Sequence, residues 1–223
     1  MSSPRPRIKV CCIASVAEAR LAVRYGASAL GLVSAMPSGP GVLSDDKIAE
    51  IARAIPPAVA SFLLTSRQDA AGIIEQQRRL RLNTLQIVDR LTVGSHRDLR
   101  AALPGIGLVQ VIHVTGPQSV EEALAAASEV DALLLDSGNP ALAVKELGGT
   151  GRRHDWRLSR EIRERSGVPV FLAGGLEAAN LADAIAEVAP FGLDVCSGVR
   201  TDGALDEGKL ERFFAAAAAA ERD

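Results

Sequence analysis

Hydrophobic residues along the chain fall in short runs, separated by longer segments in which apolar and charged positions recur with a helical period. The runs are IKVCCI, ASALGLVS, VASFLLTS, TLQIVD, GLVQVIHV, DALLLDS, VPVFLAGGL and GLDVCSGV. After them come SVAEARLAVRYG, SDDKIAEIARAIP, RQDAAGIIEQQRRLR, SHRDLRAAL, SVEEALAAASE, DWRLSREIRERSG, EAANLADAIAEVAP and DEGKLERFFAAAAAAE. The runs are nearly continuous in apolar character, as parallel strands covered on both faces are. The segments between them carry charge on one side and Ala, Leu or Ile on the other, as surface helices do. Ser44, Ser119 and Asp155 stand where N-caps are wanted, and Gly26 and Gly167 where helices end. Eight such units in 223 residues predict a (β/α)8 TIM barrel, one domain over residues 1–223. The rival is a doubly wound open sheet, which would carry GxGxxG after its first strand. This chain has Lys9, Cys11 and Cys12 there instead.

Composition adjusts the picture in three ways. Hydrophobic residues make up 48% of the chain but aromatics only 3%, so aliphatic side chains must fill the core. A formal net charge of −2 argues against nucleic acid as a partner, so an anion would have to be held by local geometry. No run is long enough to span a membrane, and MSSPRPRIKV lacks the apolar core of a signal peptide. The three cysteines, Cys11, Cys12 and Cys196, show neither disulfide nor metal spacing. The expectation is a cytoplasmic protein without a metal site. Monomer and homodimer both stay open.

In such a barrel the chemistry sits at the C-terminal ends of the strands. Cys11 is there, with Lys9 on the same face. Adjacent strand residues point to opposite sides, so Cys12 is expected to face the helices if Cys11 faces the interior. Cys11 reads either as a small core side chain or as a thiol activated by a neighbouring ammonium. Asp136 ends the apolar run ALLLD and reads either as a loop cap or as a buried general acid. Three glycine groups follow consecutive runs: Gly148, Gly149 and Gly151 around Thr150, then Gly174 and Gly175, then Gly198 after Ser197. They read as tight turns or as backbone amides gathered around a phosphate.

Taken in order, KVCC, GASALGLV, LLLDS, GGTG with HDW, VFLAGGL, DVCSGVR and LDEGKLERFF resemble the phosphoribosylanthranilate isomerase family over almost the whole chain. The resemblance implies a barrel without a cofactor, acting on a small phosphorylated sugar. The implied reaction is an Amadori rearrangement of N-(5′-phosphoribosyl)anthranilate in tryptophan biosynthesis, an aldose–ketose isomerisation. It assigns the ring-opening acid to Asp136 and the base that takes the C2′ proton to Cys11. Binding of substrate and phosphate falls to Lys9, Gly148, Gly149, Thr150, Gly151, Gly174, Gly175, Ser197 and Gly198. The chain departs from the family pattern in one group of places. Cys12 replaces the glycine of Lys-x-Cys-Gly. Gly41 stands where an SPR loop carries an arginine for the anthranilate carboxylate. Val88 and Asp89 replace a His-Gly pair. Arg152, Arg153 and Arg200 are the candidates to supply the missing cation. The alternatives are a barrel acting on another phosphorylated sugar, and one that binds such a ligand without turning it over.

Overall fold

The computed structural model describes residues 6–148 and 151–220. The eight apolar runs form β1 (Arg7–Val10), β2 (Ala29–Val33), β3 (Ala60–Thr65), β4 (Thr84–Ile87), β5 (Gly107–His113), β6 (Ala132–Asp136), β7 (Val170–Leu172) and β8 (Gly192–Val195). Each pairs in parallel with its neighbour in chain order, and β1 closes on β8. The helices are α1 (Val16–Arg24), α2 (Asp45–Ala52), α3 (Ala70–Leu80), α4 (His96–Ala102), α5 (Gln118–Ala127), α6 (Trp156–Arg165), α7 (Leu181–Val188) and α8 (Glu207–Ala219). Before α8 come a short helical turn over Ser197–Val199 and a small hairpin of β9 (Arg200–Thr201) and β10 (Ala204–Leu205).

Local chemistry sets most helix starts. The side chains of Ser15, Ser44, Asp69, Asp155 and Asp206 each accept a backbone N–H of their helix's first turn, and Ser95 with Asp98 forms a reciprocal capping box. Gly26 and Gly167 take φ values of +101° and +70° just beyond helix ends. Ser119 does not cap. Helix α5 opens after Pro117, and the Ser119 hydroxyl turns back to donate to the His113 carbonyl.

Strand parity divides the core into two. Outward residues such as Ile8, Val10, Leu30, Leu32, Leu133, Leu135, Leu193 and Val195 pack against the helices. Inward residues such as Ala29, Phe62, Leu64, Val109, Val111, Ala132, Leu134 and Phe171 fill the barrel. Asp136 has the parity of Ala132 and Leu134, so ALLLD delivers its carboxylate to the barrel mouth because Leu133 and Leu135 are committed to the helices. Lys9 also has inward parity. It pairs in register with Asp194 across the β1–β8 seam, and its Nζ is 2.8 Å from Asp194 Oδ1. The ammonium lies 5.3 Å from the centroid of the Phe62 ring.

Candidate active site

Strand β1 stops at Val10, and this sets the geometry of the first wall. Cys12 takes φ +60°, a left-handed conformation that a non-glycine residue enters only under constraint. The alternation expected from an extended strand therefore ends before Cys12. Cys11 and Cys12 both turn to the interior, and both line a cleft at the barrel mouth. The correction has an identifiable clamp. Arg200 Nη2 donates to the Cys11 carbonyl at 3.3 Å and to the Cys12 carbonyl, while Nη1 donates to the Gly203 carbonyl at 2.8 Å. The same guanidinium meets both oxygens of Glu18, at 3.1 and 3.0 Å. Burial works against the Glu18 charge, but Arg200 and the amides of Ala14 and Leu205 outweigh it and hold the carboxyl below its usual range.

Cys11 is seated by glycine and lysine. A Cβ at Gly31 would lie 2.9 Å from Cys11 Sγ and 3.0 Å from Lys9 Nζ, so thiol and ammonium crowd the same point beside β2. Burial alone would lower the Lys9 pKa, but facing Asp194 raises it, and the ammonium stays charged. Lys9 is fully buried and does not reach the glycine loops. It forms the ion pair with Asp194 beneath Cys11. Cys12 and Cys196 bring their sulfur atoms within 2.9 Å. Hydrogen bonds to Cys11 and Cys196, with burial, push the Cys12 thiol well up, which keeps it protonated. The contact with Cys12 lowers the Cys196 thiol against the effect of burial.

The opposite wall is built around Asp136. Its Oδ1 accepts the Ser137 N–H at 2.7 Å. A Cβ at Gly148 would lie 2.5 Å from Oδ2, and one at Gly174 would lie 3.2 Å from Oδ1. Both glycines also have positive φ, +123° and +84°. They thus make room for the carboxylate as well as shaping their turns. His154 follows on the same side. Burial lowers its pKa to about 4 against the pull of Asp136 and Asp155, so the ring is neutral at neutral pH. Its Nε2 is 2.6 Å from the Ser159 hydroxyl.

Cys11, Cys12, Gln86, Val88, Asp136, Gly148, Gly151, Gly174, Gly175, Asp194, Cys196 and Ser197 line this one cleft, which opens to solvent. A second hollow, lined by Gly151, Arg152, Arg153, Gly175, Asn180, Ser197 and Gly198, shares Gly151, Gly175 and Ser197 with the first. Asn180 braces its floor, donating to the Gly175 carbonyl at 2.9 Å and accepting the Glu177 N–H at 3.1 Å. Gly149 and Thr150 lie outside the described residues.

Of the remaining sequence candidates, Asp89 does not enter the cleft. It pairs with Lys145 at 2.6 Å, so its charge is neutralised on the far side of Val88. Gln86, Gly31 and Asp194 were not singled out from the sequence, yet all three shape the site. Gln86 is buried, lines the cleft, and its Oε1 has no partner. A glutamine at an inward strand position was the available signal. Among the described residues no cluster of His, Cys, Asp or Glu suits a metal ion, and no helix is long and apolar enough to cross a membrane.

Comparison with known proteins agrees with this arrangement. A family model described as N-(5′phosphoribosyl)anthranilate (PRA) isomerase matches residues 8–216. N-(5′-phosphoribosyl)anthranilate isomerase 2 of Methanosarcina mazei is 36% identical over 209 residues, covering 93% of this chain and 92% of that protein. The Halorubrum lacusprofundi enzyme of the same name is 35% identical, covering 94% and 95%. The solved phosphoribosyl anthranilate isomerase of Thermotoga maritima superposes with a TM-score of 0.81 at 27% identity, over 96% of this chain and 99% of that one. Another solved structure, in complex with reduced 1-(o-carboxyphenylamino)-1-deoxyribulose 5-phosphate, gives 0.78 at 25% identity, over 96% and 99%.

Proposed function

The chain belongs to the N-(5′-phosphoribosyl)anthranilate isomerase family, and from that premise we propose how its cleft performs the family's reaction. The activity is the aldose–ketose isomerisation of N-(5′-phosphoribosyl)anthranilate in tryptophan biosynthesis. Asp136 gives its proton to the ribose ring oxygen. The C1′–O bond breaks, and the anthranilate nitrogen's lone pair forms the Schiff base. Cys11, as thiolate, then removes the proton on C2′. The electrons flow to the nitrogen and leave an enolamine, which tautomerises to the aminoketose. Only protons move between enzyme and substrate, so the scheme calls on no cofactor.

The single observation that carries this assignment is the placing of Cys11 and Asp136 on facing walls of one cleft, each in space that glycine leaves free. The neutral His154 adds no charge beside Asp136. Amides of Gly151, Gly175 and Gly198, with the Ser197 hydroxyl, form the phosphate end. Arg152 and Arg153 border that hollow. We further place the protein in the cytoplasm, as one barrel domain.

Purified protein should consume N-(5′-phosphoribosyl)anthranilate, seen as loss of the substrate's fluorescence. Turnover equal to that of a Cys11→Ala or Asp136→Ala variant would reject the assignment.

A further inference from the structure

The phosphate hollow defines one end of the cleft, so an aryl group on the same substrate meets the other. That end is formed by Cys12, Met36, Pro40, Val88, Val111 and Leu147. Among the described residues no lysine or arginine lines the cleft. The cations that could have served are engaged elsewhere. Arg200 is locked on Glu18 and three carbonyls, Lys9 on Asp194, and Lys145 on Asp89. Arg152 pairs with Glu146, and the Arg153 guanidinium lies 3.8 Å from the centroid of the Trp156 ring.

Gly41 and Cys12 explain the neutrality together. A Cβ at Gly41 would lie 2.7 Å from Cys12 Cβ, 3.1 Å from its Cα and 3.3 Å from its Sγ. Gly41 itself has φ +77° and Cys12 has φ +60°. The side chain at position 12 therefore occupies the space that any side chain at position 41 would need. The arginine that the resemblance implies at 41 and the cysteine present at 12 exclude one another sterically.

We propose that this Cys12–Gly41 pairing is a specificity determinant that makes the aryl end indifferent to the substrate's carboxylate. The substrate class widens to N-aryl phosphoribosylamines, charged or neutral at the ortho position. The inference rests on the isomerase reading of the same cleft. A site built with a cation for a carboxylate rejects the neutral analogue strongly, because the buried partner is left unpaired. Among the described residues no lysine or arginine lines the cleft to be left unpaired.

The test compares kcat/KM for phosphoribosyl adducts of anthranilate and of anthranilamide, its neutral near-isostere. The wild-type ratio is expected within about tenfold of unity. The Cys12→Gly/Gly41→Arg variant should shift that ratio toward anthranilate by about tenfold or more, and intrinsic amine reactivity cancels in the comparison. Gly41→Arg alone should melt below the double variant, since only the pair makes room. A wild-type preference for anthranilate above about 100-fold overturns the proposal whether or not the variants fold, while leaving the isomerase reading intact. An unchanged ratio in a folded double variant also overturns it. Turnover of neither adduct rejects the isomerase reading itself, and this proposal with it.

Discussion

The cleft has two walls that differ in how they are built. The wall from β6 to β8 seats Asp136 between Gly148 and Gly174 and carries the turn at Ser197. The wall from β1, the loop after β2 and the end of β4 carries Cys11, and it is here that the sequence departs from the pattern its resemblance implies. Cys12 sits in a left-handed turn held by Arg200, Gly41 is closed in against it, and Asp89 is withdrawn onto Lys145. Proton transfer needs a few atoms held tightly, as Asp136 is between two glycines. A pocket for a remote part of the substrate depends instead on which side chains fit together, as Cys12 and Gly41 do.

The largest effect should come from removing either proton-transfer group. Cys11→Ala and Asp136→Ala should each lower kcat by roughly 10²–10⁴-fold while leaving Tm nearly unchanged. A large loss for Asp136 alone would break the symmetry between the walls. The Lys9–Asp194 pair joins the walls at the seam, and Lys9→Met should cost about 3–5 kcal/mol by leaving Asp194 buried without its cation. Chemical denaturation should show this, and Asp194→Leu in the same chain should recover much of it.

The next effect belongs to the Asp136 wall. His154 has its ordinary pKa of about 6.5 when unfolded and about 4 when folded. Between these values the unfolded chain binds a proton that the folded one does not. Stability from this group is therefore fully present above pH 6.5 and lost as pH falls toward 4, by up to about 3 kcal/mol. Denaturation midpoints of His154→Gln across that window should be flatter than wild type.

The smallest effect separates seating from backbone strain. Gly148→Ala would drive a methyl to 2.5 Å from Asp136 Oδ2, whereas Gly105 has nothing within 4 Å and a similarly positive φ of +82°. Both should lose about 1–2 kcal/mol of stability from the backbone. Only Gly148→Ala should also lower kcat, by about tenfold or more, through displacement of the carboxylate.

The barrel was legible because each strand and helix announces its own period. The place of Asp136 at the end of an apolar strand was legible too, while the residues alone left cap and acid open and its inward parity came with the barrel. Cys12 was misplaced because its turn departs from the strand under a clamp from Arg200 and Glu18, distant residues whose convergence no local pattern encodes. The partner of Lys9 was hidden for the same reason: Asp194 meets it only through closure of β8 on β1. The cap expected at Ser119 moved because Pro117 already suits a helix start, freeing the hydroxyl for the His113 carbonyl. Gly31 and Gln86 passed unremarked because an inward glycine and glutamine acquire meaning only when their neighbours across the barrel are known.

The most direct measurement is the initial rate of N-(5′-phosphoribosyl)anthranilate fluorescence loss for wild type beside Cys11→Ala and Asp136→Ala, with folding checked by circular dichroism. The account predicts turnover by the wild type and a drop of at least about 100-fold in each folded variant. Equal rates in all three, or a wild type that leaves the fluorescence unchanged, would contradict it.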